Sequence, residues 1–261
     1  MADTYTLHRG SAPLLVSLPH DGVQLPPELL ARLTPEARGV PDTDWHVSRL
    51  YAFAADIGAS LIRPHFSRYV IDLNRPREDT SLYPGQNTTG LCPLNRFDGG
   101  AVYLDGQAPD AAEVAERIDR YWVPYHAALA DELARLKALH GQVVLWEGHS
   151  IRGEAPWLFE GALPDLNLGT AAGTSCDPEL QGRLEAVMSS QADYAWVANG
   201  RFKGGHITRH YGHPAEGVHA VQMELAQRTY MDEASFEYLP ERAEPLQALL
   251  RRLLAGCLAP L

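Results

Sequence analysis

Val143-Val144-Leu145-Trp146-Glu147-Gly148-His149-Ser150 is the stretch whose reading decides the fold. Its first half is apolar and β-branched, the composition of a buried strand. Its second half turns to an acid, a glycine, an imidazole and a hydroxyl, groups that a core does not accept without partners. In open α/β sheets ligands bind just beyond the carboxyl ends of the strands. This strand is therefore expected to deliver His149 to a site, as a metal ligand or a proton carrier. Glu147, two residues back, shares a face with His149 in an extended chain and could hold the imidazole through a hydrogen bond. The plainer alternative is a strand end with a solvated histidine.

The segments on either side repeat the theme. Leu14 to Leu18 is a short apolar run that delivers His20 into the turn Pro19-His20-Asp21-Gly22. Pro26 and Pro27 open an expected helix over Pro27 to Leu33, since proline suits a first helical turn. Thr43 or Asp42 is expected to cap a further helix carrying Trp45, Val47, Leu50, Tyr51 and Phe53. Ala59 to Arg63 and Arg68 to Leu73 read as strands. From Pro76 to about Asp110 the chain is rich in proline and glycine, and its scattered leucines and aromatics favour an ordered loop over a linker. Asp110 to His140 shows helical spacing of apolar residues, with Pro124 expected to kink or split it. Later strands are expected at Tyr194 to Ala198 and Val218 to Leu225, a turn-rich loop between Leu163 and Asp177, and helices over Pro178 to Gln191 and Glu241 to Leu258. Strands alternating with helices predict an α/β fold, a mixed central sheet flanked by helices. No internal repeat or boundary divides the chain, so one domain over residues 1–261 is expected.

Composition narrows the function. The chain has 261 residues, 45% of them hydrophobic, enough for a sizeable core. Lys plus Arg is 22 against Asp plus Glu 33, a formal charge of -11, and no basic run occurs. Nucleic acid is thus not an expected partner, whereas a small anionic substrate is compatible with a locally positive pocket. Three cysteines without a C-x-x-C pair predict neither a disulfide framework nor a thiolate metal site, and point to a reducing compartment, the cytoplasm. No leader is read at the start of the chain, and no apolar run of about 18 residues predicts a membrane span. The oligomeric state is left open.

His20 and His149, each at a strand end, are the core of a candidate metal site. Catalytic zinc sites take about three protein ligands from His and Asp or Glu and keep a position for water. Asp44 is the choice for the third ligand, with Asp42, Asp21 and Glu147 in competition. Cobalt and iron suit the same donors as zinc. Val218 to Leu225 adds a possible base. Glu224 shares a face with Gln222, Ala220 and Val218, and a glutamate on so apolar a strand is costly to bury without a partner. Beside a metal-bound water it could act as general base. The alternative is an edge strand with Glu224 in solvent. Arg75, closing the Arg68 segment, and Arg209, in Gly204-Gly205-His206-Ile207-Thr208-Arg209-His210-Tyr211-Gly212, could each clamp a carboxylate.

Seven segments in order resemble the N-formylglutamate amidohydrolase family across nearly the whole chain. They are Ser17 to Gly22, Asp42 to Trp45, Ser67 to Arg75, Glu147 to Ile151, Pro164 to Thr170, Phe202 to Gly212 and Gln222 to Leu225. The resemblance implies a metal-dependent hydrolase with a zinc-carboxypeptidase or aspartoacylase-like fold (phosphorylase/hydrolase-like). It implies cleavage of N-formyl-L-glutamate to formate and L-glutamate, the last step of one histidine-degradation route. His20 and His149 fall where the wider superfamily places its histidine ligands, Glu224 where it places the catalytic glutamate, and Asn74-Arg75 where it places a carboxylate-binding pair. Two departures stand out. The position three residues after His20, usually a carboxylate ligand, is Val23, which moves the third ligand to Asp44. The acid before the second histidine is Glu147 rather than Asp. The implied scheme has a divalent metal, zinc before cobalt or iron, on His20, Asp44 and His149. Glu224 moves the proton, Arg75 donates to the oxyanion, and Asn74, Arg75 and Arg209 take the substrate's carboxylates. Hydrolysis of another N-acyl amino acid, or metal-independent carboxylate binding without turnover, are the competing expectations.

Overall fold

The computed structural model describes residues 3–81, 85 and 87–259; Pro84, in the loop read from sequence, lies outside them. In chain order the elements are β1 (Tyr5–His8), β2 (Leu14–Ser17), α1 (Pro27–Leu30), α2 (Val47–Leu50), β3 (Ser60–Pro64), α3 (Ala111–Arg117), α4 (Val123–His140), β4 (Val143–Ile151), β5 (Leu166–Gly169), α5 (Pro178–Ser189), β6 (Trp196–Ala198), α6 (His206–Tyr211), β7 (Val218–Ala226) and α7 (Pro240–Leu258). The strands form one mixed sheet of seven in the order β1-β3-β2-β4-β7-β5-β6. Its middle, β3-β2-β4-β7, is parallel throughout. β1 adds antiparallel to β3, and β5 antiparallel to β7.

The central place of β4 explains its composition. A parallel strand covered on both faces must be apolar on both, and every residue of β4 is buried. Alternate residues feed two cores. Val144 and Trp146 join Val221, Met223 and Leu225 of β7 beneath α5 and α7. Val143 and Leu145 join Ala220 beneath Tyr125, Leu129, Leu133 and Leu136 of α4. Gly148 is a close approach: a Cβ there would stand 2.6 Å from Leu18 Cδ2 and 2.9 Å from the Tyr51 ring.

The long helical pattern divides as its proline predicts. A π-helical turn, Ile118–Trp122, separates α3 from α4, because Pro124 has no N–H to continue the ladder of bonds behind it. Asp110 caps α3 by accepting from the Glu113 amide at 2.9 Å. Asp177 caps α5 by accepting from the Glu179 amide at 2.7 Å.

Some expectations are corrected. Arg68 to Leu73 is not a strand but a run of turns. Its amides bond locally and to the loop, Val70 N to Ser67 O at 2.9 Å and Asp72 N to Leu91 O at 2.7 Å. Tyr69, Val70 and Ile71 nevertheless fill the second core, which is why the segment is apolar. Neither Thr43 nor Asp42 caps α2; its N-cap is His46, at φ 63° with no side-chain cap bond. β1 and β5, four residues each, fall where no strand was expected. The Pro/Gly-rich loop is ordered as expected where it is described: Leu91, Phe97, Val102 and Tyr103 are buried. Among the described residues no helix is long and apolar enough to cross a membrane.

Candidate active site

The polar residues gather at the carboxyl ends of the parallel strands, on the α4 side. The register sets them in rows. Glu147 lies beside Gln222, and His149 beside Glu224. Ser17, at the end of β2, pairs with Glu147, so the turn after β2 carries His20 over the same face. The His20 and His149 rings stand 4.8 Å apart by centroid. Asp44 enters from the loop before α2. Its amide bonds to the His20 carbonyl at 3.1 Å, and its side chain accepts from the Ser150 amide at 3.1 Å. The left-handed His46 just after it turns the chain away, so Asp44 points into the site instead of capping a helix.

His20, Asp44 and His149 are all buried and offer ligand atoms within 4.8 Å of one another, a group that could hold a metal ion. Asp44 Oδ2 lies 3.1 Å from His149 Nδ1 and 3.7 Å from His20 Nδ1. The far nitrogens are engaged elsewhere: His20 Nε2 with Asp72 Oδ1 at 2.7 Å, and His149 Nε2 with Glu147 Oε2 at 3.3 Å. Asp72, behind His20, is placed to accept from Nε2–H and leave the Nδ1 lone pair toward Asp44, whereas His149 Nε2 has both Glu147 Oε2 and Asn74 Nδ2 within reach. The competing acids are committed to structure. Asp42 accepts from Tyr69 Oη and the Phe97 amide. Asp21 accepts from the Ser48 amide and Arg63. Glu147 backs His149, and its Oε1 is buried without a hydrogen-bond partner.

Electrostatics favour positive charge between the imidazoles. Burial alone would raise the Asp44 carboxyl, but bonds from His149 and His20 take it well below the usual carboxylate range. Burial opposes charge on His149, yet Asp44 and Glu147 carry it up to about 10. Asp72 is also held low: burial opposes this, and Arg68 and His20 outweigh it. A divalent cation is a second way to meet that field, so the donors present fit one. Glu224 behaves oppositely. Burial, only partly offset by His149, raises it to about 8, close enough to neutrality to exchange a proton.

A cavity opens over this cluster, and the buried Glu224, Gln222, Asn74 and Arg68 line it. Asn74 Nδ2 lies 3.1 Å from His149 Nε2, and its Oδ1 accepts from the Ile207 amide at 2.8 Å. Gly205 must be glycine here, because a Cβ would stand 2.4 Å from the Asn74 amide nitrogen. Arg75 lines the cavity and bonds to the Thr89 carbonyl at 2.9 Å. Arg209 does not line it. It is exposed on α6, with Nε bonded to the Gly204 carbonyl at 2.9 Å.

Residues not singled out from sequence complete the surroundings. Arg68 is buried, bonds to Asp72 at 2.6 Å and stands 3.8 Å from Asp44. Gln222 accepts from the Gly205 amide at 2.7 Å and points Nε2 at Glu224, 3.5 Å away. Arg201, half-buried, also lines the cavity. The i,i+4 spacing of Arg68 and Asp72 and the shared strand face of Gln222 and Glu224 were available signals; Arg201 carried none.

The profile of the N-formylglutamate amidohydrolase family matches residues 12–231. The chain belongs to that family. It is 54% identical over 260 residues to an N-formylglutamate deformylase of Pseudomonas aeruginosa, an alignment covering 99% of this chain and 97% of that one. A Pseudomonas putida N-formylglutamate deformylase is 50% identical over the same shares. Among solved structures, an N-formylglutamate amidohydrolase from Ralstonia eutropha superposes with a TM-score of 0.81 at 28% identity, covering 98% of this chain and 96% of its own. A protein from Agrobacterium tumefaciens shares the fold, with a TM-score of 0.71 at 20% identity over 98% and 96% of the two chains.

Proposed function

We propose that this protein hydrolyses N-formyl-L-glutamate to formate and L-glutamate with a divalent metal, zinc before cobalt or iron, held by His20, Asp44 and His149. The observation that carries the reading is the pairing of that donor group with Glu224, register neighbour of His149. The names of the relatives supply the substrate. When bound, the cation supplies an acidified water and polarises the formyl oxygen.

The chain's own residues do the rest. Asp72 and Glu147 hold the two imidazoles in place from behind. Glu224, as carboxylate, takes the proton of the attacking water; as acid, it returns that proton to the leaving nitrogen of glutamate. Burial, which raises this carboxyl above the usual carboxylate range, suits it to hold a proton as well as to take one. Gln222 orients that carboxyl. Arg75, beside Asn74, is placed to meet negative charge near the reacting carbon, on the oxyanion or on the nearer carboxylate. Arg209, being outside the cavity, is dropped from the substrate contacts. The parallel strands that deliver the site at their carboxyl ends support a fold relationship to zinc carboxypeptidases and aspartoacylases. In this reading the protein is a single domain that works on a small anion in the cytoplasm, at the end of a histidine-degradation route.

Formate release from N-formyl-L-glutamate, measured with chelator and after adding zinc or cobalt, tests it. Activity abolished by chelator and restored by metal is the expected result. Activity indifferent to both would defeat the metal assignment, and no formate under any metal would defeat the substrate.

A further inference from the structure

We infer that Arg201 sets the preference for a dicarboxylate by binding the side-chain carboxylate of the substrate, while Arg75 serves the chemistry at the formyl end. This rests on the deformylase reading above and assigns within it a residue that the sequence did not mark.

Three guanidinium groups line the cavity: Arg68, Arg75 and Arg201. Arg68 is committed. It is buried under the Phe97 ring, 4.8 Å from its centroid, and its charge is matched by Asp72 and Asp44. Arg75 bonds through its guanidinium to the Thr89 and Asn74 carbonyls, and its charge reaches Asp72 behind His20, which sets it toward the reacting end. Arg201 comes from a separate segment, the chain leaving β6. Its Nη2 bonds to the Leu158 carbonyl at 3.1 Å, which aims the planar group. It is half-buried and lines both the inner cavity and the outer groove formed by Pro156 to Pro164. It thus stands at the mouth, yet its charge still reaches Glu224, where it favours the carboxylate form.

The substrate has two matching reaches. From the formyl carbon, the α-carboxyl carbon is three bonds away and the side-chain carboxyl carbon five. The farther group falls to Arg201, while Arg75 meets the negative charge nearer the reacting carbon. The two methylenes between them need an apolar wall, and Ile151, Leu158 and Phe202 line the same cavity, Leu158 and Phe202 next to Arg201 by the Leu158 carbonyl bond and by sequence. A guanidinium fork reads a carboxylate bidentately and does not match a carboxamide.

The test compares kcat/KM for N-formyl-L-glutamate with that for N-formyl-L-glutamine, its near-isosteric neutral analogue, in the metal-loaded wild type, R201Q and R201K. The wild type should favour glutamate by about 100-fold, the scale of a lost hydrogen-bonded charge pair. R201Q should bring that ratio near one, chiefly through KM for glutamate. R201K, with a charge but no fork, should keep an intermediate ratio. A ratio unchanged in both variants, even if both substrates slow equally, overturns the assignment while leaving the deformylase reading intact. A wild type that releases no formate from N-formyl-L-glutamate defeats the function itself, and the inference with it.

Discussion

The two faces of the β4–β7 pair carry the same backbone and opposite cargo. On the face under α5 and α7, Val144, Trp146, Val221, Met223 and Leu225 stay apolar from end to end. On the face under α4, Val143, Leu145 and Ala220 begin apolar, and then Glu147, His149, Gln222 and Glu224 take over. Burial of hydrocarbon stabilises each site on the first face by about 1.5–3 kcal/mol per large side chain. Burial of carboxyls costs energy on the second unless partners offset it. The difference shows a division of labour within a single pair of strands: one face holds the strands in register, so the other can keep a charged cluster in place.

Breaking each face separately should give different kinds of loss. The largest effect is expected from Glu224→Gln on the polar face. It keeps the shape of the side chain and removes the proton carrier of the proposed mechanism, so kcat should fall roughly 1,000-fold. The cation should still bind, as read by metal content after dialysis. Thermal stability should not fall, because an ionisable carboxyl is no longer desolvated. Unchanged kcat would remove Glu224 from the chemistry. Next comes Trp146→Ala on the apolar face. Trp146 is fully buried and donates to the Tyr51 hydroxyl at 2.9 Å. Its truncation should cost about 3–5 kcal/mol in denaturant unfolding, with kcat per folded molecule little altered. If kcat fell as far as in Glu224→Gln, the two faces would not be separable.

The same contrast explains what could be read from the sequence. β4 and β7 were legible because a central parallel strand must be a long apolar run, and because polar residues at its carboxyl end have no structural excuse. His149, His20 and Glu224 stood out for that reason. Asp44 was harder: its neighbours Asp42 and Thr43 looked like caps, three other acids competed with it for the third-ligand place, and only the left-handed turn at His46 shows why it points into the site. Arg68 to Leu73 misled because Tyr69, Val70 and Ile71 are apolar to fill a core from turns, not from a strand. β1 and β5 were too short for a pattern to emerge over four residues. The two arginines of the Arg201 to Gly212 segment differ only through the path of the chain. The short α6 buries Ile207 and Thr208 and so turns Arg209 outward, while Arg201, before the glycine pair, stays at the cavity.

The polar face also has a border that pH should expose. His126 on α4 is buried against the Trp122 ring, 3.7 Å away by centroid, with Nε2 donating to the Leu73 carbonyl at 2.9 Å and Nδ1 facing Tyr211 Oη at 3.0 Å. Burial, with only the Leu73 bond opposing it, lowers its pKa from 6.5 to about 3. The folded protein therefore holds it neutral where the unfolded chain would protonate it. Between those two values the unfolded state binds the extra proton, so stability falls as pH drops below about 6.5 and the loss levels off near pH 3. At about 1.4 kcal/mol per pH unit, His126 alone should remove roughly 2 kcal/mol between pH 7 and pH 5. His126→Gln keeps a donor for Leu73 and cannot titrate. Its unfolding free energy, whatever its value at pH 7, should decline by that much less than the wild type over the same interval. Parallel pH profiles would mean that His126 is charged in the folded state or reaches water, and that the packing of α4 does not insulate the polar face.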